Sequence, residues 1–459
     1  MSGDDGRDDE LITSSLGRLF RLGSVATRVG VSLAAQQARG FFLSDPIAQA
    51  RKTEKLVLNA IRVTEALGEL KGAAMKVGQM LSVHEGLLPR EILLVLRSLQ
   101  KEAPRVSFQV MQRTLAMELP DYDLLFEHLD PEAIAAASIG QVYRGHLRDG
   151  REVAVKVQYP DMDRIVRSDL TNLKKLFGAL VAMVADLDFD PIWEEVRDRL
   201  LEELDYHKEA DNLRRMRLLH EPVAEILIPG VIEEASSRRV LTMEYLPGMD
   251  ADAACSDVQS QEKRNQWART LLEFTLRGLI EHRFLHADPN LANFGFLDDG
   301  RVIVYDHGCM KSLEPELAGG YRGMLRALID DDRGALQQRL LEMGVYDRRR
   351  HTPVSRALLD PIADIACEMV GPGVYRFCED TPIYDRLFEL KTHHFEEIAD
   401  LNVPADLVFL NRTLSGLFGN LCRLRAEDDW RTLAGRYADM PCQEQLVRLS
   451  GNPSQGETP

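Results

Sequence analysis

His286-Ala287-Asp288-Pro289-Asn290-Leu291-Ala292-Asn293, with Val304-Tyr305-Asp306-His307-Gly308 a short way downstream, is the stretch of this chain that decides its fold. Asp288 and Asn293 are five residues apart in a loop, and Asp306 closes a short apolar strand. Between them the β segments Asn293–Leu297 and Arg301–Tyr305 flank Asp298-Asp299-Gly300, a turn sequence. Taken singly, each of these polar residues is more often a loop residue or a helix cap than a catalyst. Their order along the chain, with what lies upstream, supports a sharper reading.

Upstream, Ile139–Leu147 and Glu152–Gln158 read as a hairpin joined by Arg148-Asp149-Gly150. Lys156 lies inside its second strand, in Val153-Ala154-Val155-Lys156-Val157. A lysine in an apolar strand is costly unless its ammonium finds an anion; the plain alternative is an edge lysine facing water. The acidic run Glu202-Glu203-Leu204-Asp205-Tyr206-His207-Lys208-Glu209 predicts a helix with Asp205 and Glu209 about one turn apart. Such a run is also what a solvated helix face looks like.

Strand lysine, helix glutamate, loop aspartate, asparagine and strand-end aspartate follow one another here in protein-kinase order. In that pattern the lysine holds nucleotide phosphates and pairs with the glutamate. The loop aspartate serves the nucleophile, and the asparagine and last aspartate hold Mg2+. Two features depart from it. Where a glycine-rich loop would cover the phosphates, the chain reads Ala135-Ala136-Ala137-Ser138-Ile139-Gly140. Alanine's Cβ restricts positive φ and holds the backbone farther from a phosphate than glycine does. An A-P-E element is also missing, and Glu314-Pro315-Glu316 follows Gly308 too soon to leave room for a peptide-binding activation segment.

The remainder of the chain sets bounds. With 459 residues, 45% hydrophobic and 28% charged, it can bury a sizeable core and form a large bilobal molecule. Its 56 Lys+Arg against 73 Asp+Glu leave a net charge of −17, which argues against nucleic acid as a partner. The longest uncharged run, Ala133–Tyr143, has eleven residues, and a spanning helix needs about 18 to 20. An acidic start (Asp4, Asp5, Asp8, Asp9, Glu10) reads badly as a signal or transit peptide. Six scattered cysteines with no C-x-x-C pair read as free thiols in a reducing compartment. Helical periodicity runs from Pro46 to about Leu81, in two shorter segments opened by Pro89 and Ser107, from Asp163 to about Leu219, and almost throughout Gln261–Leu449. Two more short strands are expected at Gly230–Glu233 and Arg239–Met243. Leu11–Gly40 runs against the acidic background, with Arg18, Arg21, Arg28 and Arg39 and no acid. It reads either as a surface helix packed on the body or as an interfacial helix with its arginines toward anionic lipid.

One further motif makes the resemblance specific. The helix ahead of the β lobe carries Lys76-Val77-Gly78-Gln79, a K-x-G-Q sequence. With the alanine-rich segment, the E-x-D of Glu203 and Asp205, and the H-A-D-P-N-x-x-N-F loop, it resembles the UbiB (aarF-domain) family of atypical kinases. The chain is most similar to the coenzyme Q biosynthesis branch, from the helical prefix to about Arg425.

The resemblance implies a protein-kinase-like, bilobal α+β fold. The division would be a tail and membrane-proximal segment (1–42), a helical extension (43–130), an N-lobe (131–246), an enlarged helical C-lobe (247–450) and a disordered end (451–459). It implies that Ala135, Ala136, Ala137 and Ser138 cover the phosphates of ATP or ADP, and that Lys156 pairs with Glu209. Glu244, Tyr245 and Leu246 would be the hinge to adenine. Asp288 would take the catalytic-aspartate role, and Asn293 and Asp306 would hold Mg2+, or Mn2+ in its place. Lys76 and Gln79 would project into the cleft where a protein substrate docks, held by Glu203 and Asp205, and so suppress protein phosphorylation. The implied activity is ATP hydrolysis in support of isoprenoid-quinone biosynthesis, with quinone-biosynthesis enzymes or lipid-like precursors as partners. The implied location is cytoplasmic, peripheral to the inner membrane. A nucleotide-gated scaffold or lipid-access chaperone, and a small-molecule or protein kinase, remain the alternatives. Asp306-His307-Gly308 departs from the usual D-F-G by an imidazole in place of the phenyl ring.

Overall fold

Alternation of apolar and polar residues along Gly140–Leu147, and the turn at Arg148-Asp149-Gly150, give the hairpin that the sequence predicts. In the computed structural model its strands are β2 (Gly140–Leu147) and β3 (Glu152–Gln158), antiparallel, with Val142 opposite Lys156. The structure describes residues 106–137, 139–160, 190–378 and 400–441, with single positions between these stretches. Lys76, Gln79, Ser138, the Leu11–Gly40 segment and the 451–459 end lie outside the described residues.

The described residues form two compact units. One runs up to Tyr206 and takes back Glu233–Thr242; the other holds His207–Ile232 and the chain from Met243 onward. In the first, helix α1 (Phe108–Glu118) buries Met111 and Leu115, one turn apart, and packs against β3 and β1 (Phe126–Ala137). The sheet order is β1-β2-β3-β5, where β5 is Val240–Glu244 and β4 (Ile226–Leu227) belongs to the second unit. Lys156 therefore sits in a strand paired on both sides. It is 6% exposed, so the edge-lysine reading is excluded.

Three sequence-based expectations are corrected here. Ala135, Ala136 and Ala137 are not a loop: they pair with Val142, Gln141 and Gly140. The acidic run is not one helix. Helix α2 (Asp190–Glu203) ends at Glu203, Asp205 lies between helices, and α3 starts at Tyr206. Leu204 and Tyr206 are both buried at 2% exposure, and the Tyr206 N–H donates to the Arg238 carbonyl at 2.9 Å instead of continuing a helix. Gly230–Glu233 supplies only an isolated bridge, Val231 to Met243, and the nearby strand is β4, parallel to β8 (Val302–Val304).

The second unit is mainly helical: α3 (Tyr206–His220), α4 (Gln261–Leu276), α5 (Pro315–Ile329), α6 (Arg356–Met369), α7 (Ala405–Arg423) and α8 (Trp430–Ala438). Its core includes Leu285, Leu313, Tyr321, Leu358 and Leu410. Helix α4 ends in a π-helical turn, Arg277–Glu281, and Arg283 follows with φ +53°. Such turns re-aim a chain within a few residues, and this one delivers β6 (Phe284–His286) into the core. Among the described residues no helix is long and apolar enough to cross a membrane.

His220, on α3, is 1% exposed and packs on Phe274 at 4.9 Å and His282 at 5.4 Å. Burial, more than the nearby His282 and Arg277, pushes its pKa down to about 4, against a bond to the Met216 carbonyl that favours charge. The unfolded state takes up a proton near pH 6.5 and the folded state only near pH 4. Stability is therefore retained above pH 6.5 and lost as pH falls towards 4, by up to about 3 kcal/mol from this group. Urea unfolding at pH 7.5 and 5.0 is expected to show a smaller acid loss for His220→Phe than for the parent. An equal loss in both proteins would remove His220 as its source.

Candidate functional site

The chain from β6 to Gly308 is built almost entirely by short local bonds. Asp288 Oδ1 accepts the Asn290 N–H at 3.2 Å, and Asn290 Oδ1 accepts the Ala292 N–H at 3.1 Å, so two Asx turns shape the loop. Asn293 Nδ2 donates to the Asp288 carbonyl at 3.4 Å. The loop leads into β7 (Phe294–Phe296), which pairs antiparallel with β8, the two strands that the sequence places around Asp298-Asp299-Gly300. Immediately after β8, the Tyr305 N–H donates to the Asn293 carbonyl at 2.9 Å. Asp288, Asn293 and Asp306 are thereby brought to one end of a small hairpin.

His286 and His307 set the floor of this arrangement. His286 is 5% exposed and its Nε2 lies 2.7 Å from the Asp306 carbonyl oxygen. His307 is fully buried, and its ring meets His286 edge-on at 5.9 Å, so the imidazole takes an aromatic packing position. Asn212 Nδ2 on α3 donates to the His307 carbonyl at 3.0 Å. The Gly308 N–H donates to Asp306 Oδ1 at 2.9 Å and fixes that carboxylate. A Cβ at Gly308 would stand 3.3 Å from Asp306 Oδ1 and 3.7 Å from Glu209 Oε2, so two carboxylates flank one bare stretch of backbone. Glu209, in the first turn of α3, is 4% exposed.

Among the described residues no three His, Cys, Asp or Glu side chains group as a self-sufficient metal site. Asp306 and Asn293 could offer a carboxylate and an amide oxygen to a metal also held by phosphates. With the Asn293 nitrogen bonded to Asp288, its oxygen is the donor atom left for a cation. Hard oxygen donors that leave most of the coordination shell to phosphates and water suit Mg2+ or Mn2+.

The linker after β5 is fixed from two directions. Glu244 Oε2 accepts from Arg217 Nη1 at 2.7 Å and from the Gly230 N–H at 2.8 Å, and the Glu244 N–H donates to the Gly230 carbonyl at 2.8 Å. The Glu244 side chain is thus an anchor. Tyr305 Oη donates to the Leu246 carbonyl at 2.9 Å. Burial, with Tyr245 nearby, pushes the Tyr305 hydroxyl up to about 12, so it stays a proton donor at any physiological pH. Helix α7 supports the loop from outside: Asn420 Nδ2 donates to the Pro289 carbonyl at 2.5 Å, and Gly416 leaves room for the proline ring.

In the other unit Lys156 lies 5.2 Å from the centroid of the Tyr206 ring. Glu203 and Asp205 belong with it to that unit, whereas Glu209 belongs to the second. Sequence reading missed Tyr305, Asn212 and Arg217. Only Tyr305 left a trace, as an aromatic beside the strand-end aspartate.

Residues 98–340 match the ABC1 atypical kinase-like domain. The chain is 29% identical over 437 residues to rat "Atypical kinase COQ8B, mitochondrial", spanning 94% of this chain and 81% of that one. To Saccharomyces cerevisiae "Atypical kinase COQ8, mitochondrial" it is 30% identical over 335 residues, 71% of this chain and 65% of the yeast protein. It therefore spans less than two thirds of the yeast relative. A solved Mycobacterium tuberculosis structure, the complex of Rv3197 with erythromycin, superposes with a TM-score of 0.62 at 26% identity, covering 86% of this chain and all of that one. The α+β architecture is thus kinase-like, as the order of Lys156, Asp288, Asn293 and Asp306 implies. This chain belongs to the ABC1 atypical kinase-like family.

Proposed function

We infer that this protein binds an adenine nucleotide with Mg2+ and hydrolyses it slowly, in support of isoprenoid-quinone biosynthesis at a membrane surface. The observation that carries the reading is the single loop cluster that joins Asp288, Asn293 and Asp306 through His286 and the Tyr305 N–H. Asp306 and Asn293 are proposed to hold the metal, which when bound neutralises charge on the phosphates. Asp288 is proposed to orient the attacking oxygen and accept its proton, and the backbone of Glu244–Leu246 to meet the base. Within the first unit, Lys156 is proposed to hold phosphate oxygens, while Ala135–Ala137, laddered to β2, present a stiffer cover than glycines would. The quinone assignment rests on the names of the COQ8 relatives. Membrane contact through Leu11–Gly40 and suppression of protein phosphorylation by Lys76 and Gln79 are proposals from the sequence alone.

The test is phosphate release from ATP by the full chain, measured with and without Mg2+, with anionic liposomes and with a quinone-precursor mimic. Release that needs Mg2+ and rises with liposomes is expected. Nucleotide binding without any release under all conditions would leave the scaffold reading in place of hydrolysis.

A further inference from the structure

Tyr305 stands where three parts of the second unit meet. Its N–H holds the Asn293 carbonyl at 2.9 Å, its own carbonyl carbon joins Asp306, and its Oη holds the Leu246 carbonyl at 2.9 Å. Two glycines make room for it. A Cβ at Gly295 would stand 2.3 Å from Tyr305 Oη, and a Cβ at Gly248 would stand 2.9 Å from the same atom. Any larger residue at either position collides with the hydroxyl or forces it to move, so the bond to Leu246 depends on both absences.

We propose that Tyr305 is a positioning residue that locks the base-binding linker to the metal-holding loop, coupling nucleobase binding to metal binding. This rests on the nucleotide reading above. The side chain touches neither base nor metal in this scheme: it acts through Leu246 on one side and through Asn293 and Asp306 on the other. Because such coupling is reciprocal, metal on the loop tightens the linker's hold on a base, and a base on the linker tightens the loop's hold on metal.

The experiment is calorimetric titration of the full chain with ADP, once with excess Mg2+ and once with EDTA. The ratio of the two affinities measures the Mg2+ enhancement. In Tyr305→Phe the ring stays and the hydroxyl goes. The enhancement is expected to fall by about three- to tenfold, the worth of one neutral hydrogen bond, with affinity in EDTA changed by less than about twofold. An unchanged ratio, or an equal loss of affinity with and without Mg2+, overturns the coupling role. Gly248→Ala approaches from the other side by displacing the hydroxyl, and is expected to lower the same ratio. It decides the matter if Tyr305→Phe does not fold. A parent protein that shows no saturable ADP binding with Mg2+ overturns the nucleotide reading, and the Tyr305 role with it. Normal binding by the parent with an unaltered ratio in both variants overturns only the Tyr305 role.

Discussion

Asp306→Asn is expected to cut Mg2+-dependent phosphate release by at least about a hundredfold, the usual scale for removing one electrostatic contact to a reacting group. The substitution keeps the shape of the side chain and an oxygen able to accept the Gly308 N–H, which now lies 2.9 Å from Oδ1. What it removes is the negative charge. The His286 contact to the Asp306 carbonyl involves backbone and is also retained. Thermal stability should therefore stay close to that of the parent, which separates a lost ligand from a lost fold. Turnover unchanged in Asp306→Asn would show that this carboxylate is not a metal ligand. In cells that depend on this chain, quinone production that survives the variant while hydrolysis is lost would make turnover incidental and favour a scaffold.

Asp288→Asn is expected to lower kcat by about 10²- to 10⁴-fold, the range of a lost general base, with nucleotide affinity unchanged. An asparagine oxygen can still accept the Asn290 N–H, so the first Asx turn survives, and the Asp288 carbonyl still receives the Asn293 amide. The proposed metal-holding residue is thus left in place while the proposed proton acceptor is removed. Single-turnover hydrolysis with a parallel nucleotide titration checks this. A matched loss of affinity and rate would mean that Asp288 shapes the loop and does no proton chemistry.

The two variants are expected to separate because the groups at issue are neighbours with different proposed roles, and their neighbourhood was legible from the chain. Spacing within Asp288–Asn293 is local, and the turn at Asp298-Asp299-Gly300 fixes the strands around it. Strand β3 was equally plain, since Val153, Val155 and Val157 alternate inward. Strand β1 was not. It contains Pro131, two charged residues beside it and four alanines, which have little strand preference. It lies at the sheet edge, where bulges interrupt its register between Leu129 and Ala135 and accommodate the proline. The break between α2 and α3 was hidden for another reason. Charge runs announce a solvated surface but not where a buried Leu204 and Tyr206 stop the helix. Tyr305 escaped because its partner lies 59 residues away and hydrogen bonds of that kind leave no period in a sequence.

The bond from Asn420 to the Pro289 carbonyl spans 131 residues, and Gly416 on the same helix gives the proline ring its seat. The matched domain ends at residue 340, well short of that support. During synthesis at about 5 to 20 residues per second, the loop carrying Asp288 emerges roughly 7 to 26 seconds before its buttress. Once Asp306 has followed, a nascent chain holds every candidate group of that loop, yet for most of the interval it lacks the piece that sets them.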